Sequence, residues 1–123
     1  VWAGPLDISW GDGGRVLVPA VSFAKVTAGT VMKVYFDQKA QTWAQAQFNY
    51  GDWSGIALSF FDTTMVPTGI YGWSFESRVM ELTLTQEILD NIQAKQGDCE
   101  DQTNVCIIIQ GSDLTFTKIT IVN

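Results

Sequence analysis

The chain contains no histidine, and only two of its 123 residues are cysteine. Without an imidazole there is no Ser-His-Asp or Cys-His nucleophile system. Two thiols and no imidazole make no ordinary zinc site. Charge is scarce as well: charged residues are 16% of the chain, against about 25% in ordinary soluble domains. The basic ones are fewest, with 7 Lys and Arg against 13 Asp and Glu and a net charge of −6. Such a chain offers no footprint to a nucleic-acid backbone or an anionic lipid surface, so neither is expected as a partner. No apolar run approaches the roughly 20 residues of a membrane-spanning helix. The longest, around Val105 to Ile109, is strand-sized. No signal peptide is visible before Val1, and a start in strand-like sequence is expected of a mature or excised module.

What is present is apolar and aromatic. The 46% apolar fraction is enough to bury a full core, and the length predicts one domain over residues 1–123. The dominant period is two. Val31, Lys33, Tyr35 and Asp37 alternate with Met32, Val34 and Phe36, the pattern of a half-buried strand. Met80, Leu82 and Leu84 alternate with Val79, Glu81 and Thr83, and Ile56–Phe61 and Leu114–Ile121 read as further strands. Turn signals recur at Gly11–Gly14, Ala28-Gly29, Tyr50–Asp52, Pro67–Gly69 and Gly111–Asp113. The predicted fold is all-β: a jelly-roll-like β-sandwich of antiparallel strands. One segment breaks the rhythm. Thr85–Lys95 has apolar residues at 88, 89 and 92, which predicts one short α-helix. Thr85 suits its N-cap, Glu87 its first turn, Lys95 its last turn and Gly97 its stop.

Cys99 and Cys106 flank a run of polar turn-formers. Two unrelated buried thiols are one reading. The favoured one is a structural disulfide closing a loop between the helix end and a strand. Such a bridge would contribute on the order of 2–3 kcal/mol and implies an oxidising, extracellular setting. Asp98, Glu100 and Asp101 in the same loop offer the oxygen ligands a structural calcium ion takes. A solvated acidic loop is the favoured reading, and no metal or cofactor is predicted.

The segment Thr42–Tyr50 carries the chemistry. Read as a strand, it places Ala44, Ala46, Phe48 and Tyr50 on a core face. Trp43, Gln45, Gln47 and Asn49 share the other: one indole followed by three amides. A solvated strand face more often shows Lys, Glu, Thr and Ser. An indole stacks on the C–H face of a sugar ring, and an amide both donates to and accepts from hydroxyls. This combination suits an uncharged glycan lying across a sheet. Five Trp exceed what a small sandwich core needs. Trp2 is expected in the core. Trp43 and Trp53 are expected at the surface, and Trp10 and Trp73 stand beside loop glycines as further candidates. Glu76, Glu81, Asp37 and Asp52 are available as carboxylates. No pair of them is marked by the apolar surroundings a glycosidase acid needs, so the chain is read as a non-enzyme.

Four motifs in order carry a family resemblance. Val1-Trp2-Ala3-Gly4 is similar to a "W-x-G" opening. Trp43–Trp53 is similar to a strand and turn bearing Trp, Gln, Asn, Gly and Trp. Glu81–Leu89 is similar to an "E-L-T-L-T-x-E-x-L" helix entry, and Ile108–Ile119 to a closing "I-Q-G-x-x-L-T-I-T-K-V". Together they resemble the non-catalytic β-sandwich carbohydrate-binding modules joined to bacterial cellulases and other β-glucanases. The resemblance implies a secreted module that binds β-1,4-glucan, mixed-linkage glucan or xyloglucan and targets an attached glycoside hydrolase to polysaccharide. Carried over by position, Trp43, Gln45, Gln47 and Trp53 form its ligand platform, and Gln110, read as preceding a turn, adds a hydrogen bond. The cysteine loop and Asp12-Gly13-Gly14 depart from the family pattern. A module for xylan or mannan is one alternative. An adhesion or structural sandwich that uses exposed Trp for a protein partner is another. The amide row and the scarcity of Arg, only Arg15 and Arg78, favour the glycan.

Overall fold

A computed structural model describes residues 2–38, 43–56, 70–71, 79–112 and 114–122, and for 38, 43–45, 70–71, 112 and 122 the backbone alone. In chain order the strands are β1 (Trp2–Asp7), β2 (Val16–Pro19), β3 (Thr30–Gln38), β4 (Trp43–Tyr50), β5 (Ile70–Tyr71), β6 (Val79–Leu84), β7 (Gly97–Cys99), β8 (Gln102–Ser112) and β9 (Leu114–Val122). A 3-10 turn spans Ala20–Phe23, and helix α1 spans Gln86–Ala94. The described strands form two antiparallel sheets, ordered β1-β9-β3-β6 and β2-β8-β4-β5, with β7 also paired to β8. The chain passes from one sheet to the other at β1–β2, β2–β3, β3–β4, β5–β6, β6–β7 and β8–β9, which gives the expected sandwich.

Alternation builds the core. Met32, Val34 and Phe36 of β3, and Met80, Leu82 and Leu84 of β6, are buried as their period predicts. Ala46, Phe48 and Tyr50 of β4 meet them with Ile107 and Ile109 of β8. Trp2 packs partly buried against this core. The strand predicted over Ile56–Phe61 is described only at Ile56, whose N–H donates to the Phe48 carbonyl; its other residues lie outside the described ones.

Two of the register shifts reset the period within long strands. In β9 the register with β3 shifts between Tyr35 and Phe36, leaving Thr117 as an extra residue. Its hydroxyl donates to the Tyr35 carbonyl. Phe116 and Ile119 thereby both face the core, while Lys118 stays exposed. In β8 the register with β2 shifts between Val18 and Pro19, and Cys106 is the extra residue.

Helix α1 forms where expected. The Thr85 hydroxyl accepts from the Ile88 N–H at 3.3 Å, Glu87 lies in the first turn, and Ile88 and Ile92 enter the core. The Asn91 amide donates to the Tyr50 hydroxyl, and the Lys95 amine lies over the Tyr50 ring, so the helix is tied to β4. Lys95 is the C-cap residue rather than a member of the last turn. Gly97 does not stop the helix; it opens β7 beside Gly51. A Cβ on either glycine would collide with the backbone of the other segment, so both positions require glycine.

The expected disulfide is absent, and the topology shows why. Cys99 and Cys106 are free and buried. Cys106 belongs to the inter-sheet core and its thiol donates to the Val18 carbonyl at 3.3 Å. Cys99 packs in a second cluster with Leu17, Val105 and Ile108. Ile108 alternates with the core residues Ile107 and Ile109, so this cluster lies on the outer side of β8. The segment read as a disulfide loop is instead a hairpin. Cys99 pairs with Gln102 across a turn whose central residues, Glu100 and Asp101, both have positive φ, as a type I′ two-residue hairpin turn requires.

Candidate functional site: the outer face of the β2-β8-β4 sheet

The two outer faces differ in chemistry. On the β1-β9-β3-β6 sheet, Lys33 faces Glu81 in register at 3.4 Å, and the Lys118 amine lies 4.6 Å from the Tyr35 ring centroid. That is an ordinary solvated face of balanced charge. On the other sheet, exposed Gln47 stands opposite half-buried Gln110, two register positions from the pair Gln45 and Ser112. Gln110 lies within β8, two residues before the strand ends at Ser112. The backbone places Trp43 opposite Tyr71 at the end of the same row. Asn49 departs from expectation. It is only 2% exposed, so it lies beneath the face rather than on it. Its Oδ1 accepts from Gln47 Nε2 at 3.4 Å, which orients the exposed amide.

Trp53 lies at the rim of this face. Beyond β4, the Tyr50 N–H donates to the Ser54 carbonyl and the Trp53 N–H to the Tyr50 carbonyl. Asp52 Oδ1 accepts from both the backbone N–H and the hydroxyl of Ser54. Those two bonds hold the Asp52 carboxyl below its ordinary pKa, which suits a turn anchor and not a general acid. The closed turn puts Trp53 at φ 72°, a left-handed conformation that bulky residues avoid. Trp53 remains 43% exposed.

Arg15 connects the parts. Its guanidinium carbon lies 4.9 Å from the Trp53 ring centroid. Nε donates to Gln110 Oε1 at 3.4 Å, Nη1 to Asp12 Oδ1 at 2.5 Å, and Nη2 to the Trp10 carbonyl at 3.4 Å. Glu100 Oε2 is 3.7 Å from Nη1, and Glu100 Oε1 accepts from the Gly13 N–H at 2.8 Å. The acidic hairpin turn, weighed as a calcium loop, thus directs Glu100 onto Arg15 and the first loop. Among the described residues, no three His, Cys, Asp or Glu groups converge as a metal site.

Gln47, Gln110, Trp53 and Trp10, the last 42% exposed, are therefore gathered on or beside one sheet face, with Asn49 beneath it. Trp43 and Gln45 are placed there by backbone register alone, and Trp73 lies outside the described residues. Arg15 and Glu100 were missed as parts of the site. Their signal is weak: one Arg behind a glycine-rich loop, in a chain where Arg is rare. A cavity of about 300 Å³ lies between the 3-10 turn and α1, lined by Phe23, Leu89, Gln86 and Gln93 among others; no residue of the amide face lines it.

Neither a family model nor a curated protein sequence matches the chain. Among solved structures the fold is similar to that of SGBP-B from the mixed-linkage glucan utilization locus of Bacteroides ovatus, solved in complex with a mixed-linkage heptasaccharide. The TM-score is 0.68 and the sequences are 25% identical, with 98% of this chain and 27% of that chain covered. The chain thus spans only about a quarter of that protein's length.

Proposed function

We propose that the chain is a non-catalytic module that binds neutral β-glucans on the outer face of the β2-β8-β4 sheet. The observation that carries this reading is the opposed Gln47–Gln110 pair beside the exposed Trp53 ring. Amides meet sugar hydroxyls, the indole meets the C–H face, and no free charge is needed. The likeness to a protein solved with a mixed-linkage heptasaccharide supports the same class of ligand. β-1,4-Glucan, mixed-linkage glucan and xyloglucan are the proposed polymers. An attached glycoside hydrolase would be held near its substrate. The proposed setting is extracellular, because such polymers lie outside cells.

Affinity electrophoresis tests this directly. Retardation is expected in gels containing barley-type mixed-linkage glucan, xyloglucan or soluble cellulose derivatives, at about micromolar affinity, or −8 kcal/mol. Binding varies little with salt, since no ion pair forms with the ligand. Trp53→Ala and Trp43→Ala abolish retardation while the protein remains folded. Unretarded wild-type protein across these gels, or retention by both variants, overturns the assignment.

A further inference from the structure

We infer that Arg15 is a positioning residue that assembles the binding face, and that it does not receive charge from a ligand. The inference rests on the glycan-binding reading and extends it to residues outside the indole-and-amide row. Arg15 joins the loop that precedes it, Trp10–Gly14, to three contacts far from it in sequence: the Glu100 hairpin turn, Gln110 in β8 and the Trp53 turn. Each of its three side-chain nitrogens already faces a protein oxygen. Its side chain is only 18% exposed.

This arrangement has two consequences. First, Trp53 is held from one side. Its backbone sits in a conformation bulky residues avoid, and the guanidinium stacked on its ring opposes rotation of the side chain. Losing Arg15 frees the ring and the loop that carries Trp10. Lysine cannot substitute, because a point charge lacks the planar fork that reaches Gln110, Asp12 and the Trp10 carbonyl together. Second, among the described residues the cation that contacts this face, Arg15, is committed to Asp12 and Glu100. An acidic polymer gains no ion pair from it, which favours neutral glycans.

The test compares Arg15→Met and Arg15→Lys with wild type in three measurements. These are affinity for mixed-linkage glucan, affinity for polygalacturonate, and acrylamide quenching of Trp53, the last taken as the difference between each protein and its Trp53→Phe counterpart. Both variants are expected to lose tenfold or more in glucan affinity and to show stronger Trp53 quenching, with near-wild-type circular dichroism. Wild type is expected to leave polygalacturonate unbound. In the Trp53→Phe background, Arg15→Met costs less than it does alone. Unchanged Trp53 quenching, full affinity in Arg15→Lys, or wild-type binding to polygalacturonate that Arg15→Met removes would overturn the inference. If wild type binds no glycan at all, the binding proposal falls, and the quenching result still decides the role of Arg15. Should Arg15→Met fail to fold, Arg15→Lys carries the same decision.

Discussion

Gln47 and Gln110 stand directly opposite each other across the β4–β8 ladder. Each is oriented from behind by a different partner. Gln47 donates to buried Asn49, and Gln110 accepts from Arg15. Two amides so fixed would meet the proposed ligand with little rotamer entropy left to lose. Gln47→Ala and Gln110→Ala are each expected to weaken β-glucan affinity several-fold, about 1 kcal/mol per lost hydrogen bond. Titration calorimetry reads the loss, and the thermal melt of Gln47→Ala stays within a degree or two of wild type.

The free thiols give a second prediction. Cys106 is fully buried and Cys99 nearly so. A thiol reagent should react slowly with the native protein and titrate both thiols after unfolding. Reductant should leave the melting temperature unchanged. A fall on reduction would restore the disulfide that the hairpin topology excludes.

Burial also gives alkaline stability a definite sign. It pushes the Cys106 thiol from 9.0 up to about 12. Between those values the unfolded chain ionises this thiol while the folded chain keeps it protonated. The unfolded state then binds fewer protons, so stability falls as pH rises. The contribution is fully present below about 9 and is lost progressively toward 12. Melting curves from pH 7 to 11 should show the decline, and Cys106→Ala should show a shallower one from its own lower starting point. Cys99 and Tyr50 are shifted upward by burial as well, so part of the decline persists in the variant.

Much of the fold is legible in the sequence, because period-two alternation is a local signal. It identifies Met32, Val34 and Phe36, and Met80, Leu82 and Leu84, without tertiary information. The capped helix is local too, since Thr85 reaches only to Ile88. The bulges at Thr117 and Cys106 are not local. They exist because neighbouring strands shift register, and they change which residues reach the core. The cysteine segment misled for a related reason. Polar turn-formers between two Cys fit a bridged loop as well as a hairpin, and only the Cys99–Gln102 pairing separates them. The site divides likewise. Gln47 is readable from the alternation of β4, whereas Arg15 acquires its role from Gln110, Glu100 and Trp53, none near it in sequence.

The contact between Gly51 and Gly97 gives a stability prediction. A methyl group at Gly51 would run into the Val105 carbonyl and the Gly97 N–H. These are backbone atoms within a paired ladder and cannot rotate away. Gly51→Ala is expected to destabilise by roughly 3 kcal/mol, the strained-backbone end of the usual range, as read from the urea midpoint. Gly11→Ala, where nothing lies within 4 Å of the added carbon and φ is not positive, is the control and should cost little.

Trp53 sets function against local stability. At φ 72° a residue with a Cβ is strained by about 1–2 kcal/mol, and glycine is not. Trp53→Ala and Trp53→Gly both remove the indole and its stacking on Arg15. They differ chiefly in backbone strain, offset in part by the greater entropy of glycine in the unfolded chain. Trp53→Gly is therefore expected to be more stable than Trp53→Ala by about 0.5–1 kcal/mol, measured by chemical denaturation, while both lose glucan binding. A turn that prefers glycine yet carries tryptophan is retaining the indole at a cost in folding energy, as a ligand contact would require. If Trp53→Ala matches or exceeds Trp53→Gly in stability, the turn is not strained at this residue and that argument for Trp53 as a ligand contact fails.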